Sequence, residues 1–115
     1  MRIGLVLEQT LVGRASDPFQ YGAFQGLVRA KRDLHIQAKA VAPSPTGVGD
    51  QFVAPFLQLA REHYDLVIGI GFLEVNSVSR AARKFTHEKF AILDATRDDV
   101  PHHPRNVEGT VFHTE

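Results

Sequence analysis

The 115-residue chain contains no cysteine. This absence excludes disulfide cross-links, thiol chemistry, metal sites built from thiolates, and lipid attachment through a cysteine within this segment.

The chain also has no net charge, because thirteen Lys and Arg residues balance thirteen Asp and Glu residues. A neutral chain lacks the electrostatic attraction by which proteins bind nucleic acid or an anionic membrane surface. We therefore expect neither of these as a partner.

Long hydrophobic runs are missing too. The N-terminal run MRIGLVLE is short for a signal peptide and turns acidic at Glu8. No segment approaches the roughly 18–20 apolar residues that a membrane-spanning helix needs. We therefore expect no signal peptide and no membrane span in this sequence, and a cytoplasmic location if Met1 is the native start.

The sequence does contain short strand-like segments that alternate with helical ones. RIGLVL (2–7), LVIGIG (66–71) and FAIL (90–93) are almost continuously apolar, which is typical of strands covered on both faces of a parallel sheet. IQAKAVA (36–42) alternates instead, which indicates a strand nearer the edge, and VEGTVFH (107–113) is a fifth candidate strand. With 43% hydrophobic residues, a chain of this length builds one domain with a real core.

Three helices are predicted between these strands. The first begins at Ser16-Asp17-Pro18, a capping residue followed by proline in the first turn. The second runs from about Pro55 to His63, and the third from Leu73 to Lys84. The inward face of the first helix is predicted to contain Ala23, Leu27 and Ala30, with Phe24 and Val28 beside them.

This order of elements predicts an α/β fold, namely a doubly wound three-layer sandwich with a mainly parallel, flavodoxin-like sheet. Ligands of such folds bind outside the carboxyl ends of the strands, near the switch in strand order. Glu8 to Thr10, Gly69 to Phe72 and Asp94 are predicted at that edge, with Phe19 on the way into the first helix. Three of these features have a structural alternative: the glycines Gly69 and Gly71 ease strand–helix packing, Asp94 caps a turn, and Phe19 packs against its own helix.

No pattern in the sequence indicates catalysis. Three serines lack the context of an activated nucleophile: Ser44, Ser77 and Ser79. Without a nucleophile–base pair we expect neither enzymatic activity nor a cofactor. The adjacent His102 and His103 either bind a metal ion or are solvated loop residues, and we expect the latter and no metal site. Three further histidines stand at element boundaries and are expected on the surface: His35, His63 and His87.

Four segments together resemble the basic-membrane-protein family of ABC-transporter substrate-binding proteins, the purine-nucleoside receptors. They are SDPFQYGAFQGL (16–27), YDLVIGIGF (64–72), KFAILDA (89–95) and RNVEGTVFHTE (105–115). Their order and spacing match the family along residues 1–115. The resemblance implies one α/β lobe of the type I periplasmic-binding-protein kind, forming the N-terminal part of a two-lobe receptor.

In this family the purine lies between aromatic rings from the two lobes, and acidic side chains hold the ribose hydroxyls. By resemblance, Phe19 and Phe72 are stacking walls and Asp94 accepts hydrogen bonds from the ribose. Ser16 stands where the family has an acidic residue, and Gln20 where it has asparagine. The complete set of ligand-binding residues implied by the resemblance is Ser16, Asp17, Phe19, Gln20, Gly71, Phe72 and Asp94.

The chain is considerably shorter than members of that family. The resemblance implies a nucleoside-like small molecule as ligand, an ABC-transporter permease as partner, and a membrane-associated, extracytoplasmic location. The alternative is a single-lobe or truncated sensory or regulatory module that forms a homodimer through the same fold without transport.

Overall fold

The computed structural model contains five strands and three α-helices. It describes residues 1–7, 18–41, 53–70, 74–93 and 95–110, apart from the side chains of residues 18–21, 97 and 110. In chain order the elements are β1 (Arg2–Val6), α1 (Pro18–Leu34), β2 (Gln37–Val41), α2 (Val53–Arg61), β3 (Leu66–Ile70), α3 (Val75–Lys84), β4 (Phe90–Leu93), a short 3-10 helix (Arg97–Asp99) and β5 (Val107–Thr110).

The strands form one sheet in the order β2-β1-β3-β4-β5. All four pairings between neighbouring strands are parallel. The predicted α/β class is therefore confirmed, and so is the edge position of β2, whose alternating sequence suits a strand with one neighbour. Helices pack on both faces of the sheet, α1 on one and α2 with α3 on the other.

The face covered by α2 and α3 contains the larger part of the core. Alternate residues of β3, β4 and β5 point to this face, and each is at most 1% exposed: Val67, Phe90, Ile92 and Val107. From the helices, Phe56, Leu59 and Val78 are fully buried against them. The rings of Phe56 and Phe90 lie 6.3 Å apart at an angle of 56°, a tilted contact that aromatic pairs favour.

The other face of the sheet is covered less completely. A second cluster forms where Leu27 of α1 packs against this face, with Leu5, Leu7 and Ile70. Ile68 and Leu93 belong to this face but are only partly buried. The apolar sequences of β3 and β4 predict burial on both faces. On the α1 face Ile70 is buried as predicted, whereas Ile68 and Leu93 keep part of their surface exposed.

Val28 departs from the predicted inward face of α1, since half of its surface is exposed. The reason is geometric. The described contacts of α1 are mainly with the edge strand β2, and Leu27 is its one buried side chain among the described residues. A helix seated on the margin of a sheet buries a narrow stripe, so neighbouring apolar positions remain in solvent.

The carboxyl end of α3 is capped by a residue distant in sequence. The side-chain amide of Asn106, which lies just before β5, donates to the carbonyls of Ala82, Phe85 and Glu88 at 3.1, 3.0 and 2.9 Å. Carbonyl groups in the last turn of a helix lack partners within the helix. Asn106 therefore joins the end of α3 to the start of β5.

The opposite edge of the sheet, at the amino ends of the strands, is held by Arg2. Its backbone amide donates to Asp65 at 2.6 Å and its guanidinium to the carbonyl of Glu62 at 2.7 Å. The same guanidinium lies 4.3 Å from the centroid of the Tyr64 ring, a cation–π contact.

Within the described ranges, no helix combines the length and the apolar character needed to cross a bilayer.

Candidate functional site

The strand order places a topological switch point between β1 and β3. The chain leaves β1 to form β2 on one side, and later adds β3 on the other side. Connections that leave adjacent strands in opposite directions open a crevice at their carboxyl ends, where ligands of this fold class bind. The sequence predicts a ligand site at this edge of the sheet.

The strand register brings the ends of the central strands side by side. Val6 pairs with Gly69, and Ile70 pairs with Leu93. Ile70 and Leu93 are the last residues of β3 and β4, so the two strands end side by side at this edge. In the sequence, Gly71 directly follows Ile70 and Asp94 directly follows Leu93.

The predicted ligand-binding side chains lie outside the described residues. Phe19 and Gln20 belong to the first turn of α1, which follows β1 in the chain, but their side chains are among those not described. The other five lie wholly outside: Ser16, Asp17, Gly71, Phe72 and Asp94. Their roles in ligand binding remain predictions.

Gly69, the first glycine of the Gly-Ile-Gly segment, has a packing role. A Cβ atom added to Gly69 would stand 2.6 Å from Cζ of Phe56 and 3.1 Å from Oε1 of Glu74. Real Cβ contacts are essentially never as short as the first of these distances. The structural alternative considered for the glycine pair is therefore correct for Gly69, and the prediction of close approach to a ligand applies to Gly71.

Glu74 is a residue of this edge that sequence reasoning missed. It directly precedes α3, its side chain is fully buried, and Oε1 accepts a hydrogen bond from the amide of Ile70 at 3.3 Å. An acidic residue soon after a Gly-rich strand end is typical of an exposed loop. The sequence signal that points to burial is indirect: position 69 is glycine, which leaves room for the carboxylate.

The chain just after β4 is fixed by a second carboxylate. The amide and hydroxyl groups of Thr96 donate to Asp99 at 2.8 and 2.9 Å, and the amide of Asp99 donates back to the Thr96 carbonyl at 3.0 Å. These hydrogen bonds, first the one from the Thr96 amide, hold the pKa of Asp99 below its ordinary value. The carboxylate of Asp99 thus satisfies the amide at the start of the short 3-10 helix, as an acidic side chain three positions after a helix start commonly does. It fixes the segment that follows Asp94.

The serines and histidines occupy positions that suit structural roles. Ser77 and Ser79 are buried in α3, and the Ser79 hydroxyl donates to the carbonyl of Pro101 at 2.6 Å. The three boundary histidines are exposed as predicted: His35, His63 and His87. His102 and His103 are exposed too. Across the described part of the chain, no three potential metal-ligating side chains cluster together.

A parallel five-stranded sheet with helices on both faces and a central switch point is a doubly wound α/β fold. The family model described as Bmp, ABC transporter substrate-binding protein PnrA-like, matches residues 3–115. The chain belongs to this family of ABC-transporter substrate-binding proteins.

Individual relatives support this assignment. Uncharacterized lipoproteins from Pyrococcus abyssi and Pyrococcus horikoshii are each 32% identical over 90 residues, which cover 76% of this chain and 21% of theirs. The chain thus spans about a fifth of the length of these curated relatives.

Solved structures show the same fold. An ABC transporter system solute-binding protein from Aeropyrum pernix superposes with a TM-score of 0.73 at 20% identity, covering 97% of this chain and 28% of that one. A fragment described as a lipoprotein from Peptoclostridium difficile gives a TM-score of 0.68, also at 20% identity, and covers 95% and 84% of the two chains. At this level of identity the likeness concerns the fold alone.

Proposed function

We propose that residues 1–115 form part of the first lobe of a two-lobe substrate-binding protein that delivers purine nucleosides to an ABC transporter. The observation that carries this proposal is the paired ending of β3 and β4, Ile70 beside Leu93. These two strand ends lie at the carboxyl edge of the sheet in a member of a substrate-binding family, and in the sequence each directly precedes a residue proposed to bind ligand, Gly71 or Asp94.

The residue types at this edge suit a nucleoside. An aromatic ring such as that of Phe72 or Phe19 stabilises a stacked base by roughly 1–3 kcal/mol. The carboxylate of Asp94 can accept hydrogen bonds from both ribose hydroxyls, and hydrogen bonds to an ionised acceptor are stronger than neutral ones. Gly71 allows the backbone to approach the ligand. We also propose polar contacts from Ser16 and Asp17, which precede α1 in the sequence, and from Gln20 in its first turn.

The partner and location follow from the same assignment. We propose that a second lobe supplies the opposite wall of the site and that the closed receptor docks on the permease of the transporter. Relatives that carry the name lipoprotein support a membrane-attached, extracytoplasmic location.

Ligand-detected saturation-transfer NMR with adenosine, guanosine and inosine tests the proposal on this chain. A site with one wall should bind at least one of the three nucleosides in the millimolar range. Phe72→Ala should weaken that binding about tenfold, because the stacking surface is lost, and Asp94→Asn should weaken it through the ribose.

Phe85→Leu is the matched control. Phe85 lies at the far end of α3, next to the hydrogen-bonded cap formed by Asn106, so its replacement should leave nucleoside binding unchanged. Saturation transfer from none of the three nucleosides would refute the proposal. Equal binding by Phe72→Ala and the unmodified chain would refute the assigned site.

A further inference from the structure

Glu74 is the one charged side chain that is fully buried among the described residues. Burial of a carboxylate is unfavourable unless hydrogen bonds replace those it makes with water. A buried carboxylate therefore identifies a position around which the local chain is organised. Glu74 lies at the carboxyl edge of the sheet, immediately before α3.

The hydrogen bond of Glu74 joins two elements. Oε1 accepts from the backbone amide of Ile70, the last residue of β3, while the Glu74 backbone begins α3. β3 is the central strand, paired with β1 on one side and β4 on the other. The bond therefore anchors the start of α3 to a strand that is paired on both sides.

The surroundings of this carboxylate leave little freedom. Oε1 stands 3.1 Å from the place where a Cβ of Gly69 would lie, and Cζ of Phe56 stands 2.6 Å from the same place. Phe56 is fully buried. The Glu74 side chain thus fits a space formed by the missing side chain of Gly69 and the ring of Phe56, which fixes its position as well as its hydrogen bond.

We propose that Glu74 is a positioning residue for the ligand-binding segment. The hydrogen bond joins Ile70 and Glu74, the residues on either side of positions 71–73, which include Gly71 and Phe72. Fixing both flanking residues lowers the conformational entropy lost on binding, so binding is tighter. This inference rests on the proposed function, because it assumes that Gly71 and Phe72 contact the ligand.

Two substitutions at Glu74 separate the hydrogen-bond acceptor from the charge. Glu74→Gln keeps a carbonyl oxygen of similar reach toward the Ile70 amide, whereas Glu74→Leu keeps approximate size and removes the acceptor. Nucleoside affinity should fall on the order of tenfold in Glu74→Leu, the size expected when a buried donor loses its hydrogen-bond partner. Glu74→Gln should keep most of the nucleoside affinity of the unmodified chain.

A second readout does not depend on any ligand. Backbone ¹⁵N relaxation of Gly71 and Phe72 should show greater fast motion in Glu74→Leu than in the unmodified chain or in Glu74→Gln. Ser79→Ala is the control: Ser79 is equally buried in α3 and hydrogen-bonded to Pro101. It should lower the unfolding temperature and leave the relaxation of residues 71–73 unchanged.

The outcomes distinguish the two proposals. If the unmodified chain binds no nucleoside, the proposed function fails, and the relaxation measurement still decides the role of Glu74. If Glu74→Leu folds, as judged by circular dichroism, and leaves the relaxation of Gly71 and Phe72 unchanged, the positioning role is overturned. If Glu74→Leu does not fold, Glu74→Gln decides: an increase of fast motion at Gly71 and Phe72 would overturn the acceptor role, and unchanged relaxation supports it.

Discussion

The ring of Phe56 lies directly against the backbone of Gly69, so that a Cβ at position 69 would stand 2.6 Å from Cζ of the ring. Phe56 belongs to α2 and Gly69 to β3, and both face the main core. This contact explains why a glycine interrupts an otherwise branched apolar strand: helix and strand approach too closely there for any side chain.

Gly69→Ala should destabilise the fold by about 1–3 kcal/mol, because the added methyl group overpacks a site closed by Phe56 and Glu74. Gly22→Ala is the opposite case, since Gly22 lies within α1 and a Cβ there would have no atom within 4 Å. That substitution should stabilise the protein by roughly 0.5–1 kcal/mol through helix propensity. Urea unfolding of both variants checks the predicted opposite signs. An unchanged free energy of unfolding in Gly69→Ala would show that the Phe56 ring moves to make room for the added methyl group.

Asn106→Ala should lower the free energy of unfolding by about 2 kcal/mol. The substitution removes three hydrogen bonds and leaves the carbonyls at the end of α3 without this cap. Asn76, exposed near the start of the same helix, provides the control, since its replacement by alanine should change stability by less than about 0.5 kcal/mol. Thermal unfolding compares the two. Similar effects for both would contradict the capping role of Asn106.

His35→Gly should raise stability by about 1 kcal/mol, because non-glycine residues are strained in the left-handed region. His35 follows α1 and has a φ of 54°. His87 is also exposed but is not among the described non-glycine residues with positive φ. His87→Gly should therefore bring no gain. Denaturant titration measures the difference, and a loss of stability in His35→Gly would argue that the side chain contributes more than the strain costs.

Asp99 should make stability depend on acid pH. Its pKa is lowered in the folded state, first by the hydrogen bond from the Thr96 amide, so its contribution is present above the ordinary aspartate value of 3.8 and is lost as the pH falls through the lowered folded-state pKa. Asp99→Asn should be less stable than the unmodified chain at neutral pH, and the difference should shrink on acidification. Unfolding temperatures measured from neutral to strongly acidic pH test this. A difference independent of pH would contradict it.

Much of the fold could be predicted from the sequence, because the signals are local. The continuous apolar runs of β1, β3 and β4 indicated a parallel sheet, and the alternation of IQAKAVA indicated an edge strand, which β2 is. Proline in the first turn marked the start of α1 at Pro18. Each of these signals depends on residues within one element.

Features that depend on contacts between distant residues were not predicted. Asn106 caps α3 across 18 to 24 positions of sequence, and the burial of Glu74 depends on the space beside Gly69. The exposure of Val28 follows from where α1 sits on the sheet, which the periodicity of one helix does not fix. The ligand-binding roles of Phe72 and Asp94 come from resemblance, and their test is functional.

Chemical-shift mapping of the ¹⁵N-labelled chain during titration with adenosine, guanosine and inosine tests the central claim most directly. The account predicts saturable shifts for at least one nucleoside at the carboxyl edge, at Leu7, Ile70, Glu74 and Ala95. It predicts none at the amino edge, at Arg2, His63 and Lys89. Shifts confined to the amino edge, or no shifts with any of the three nucleosides, would contradict it.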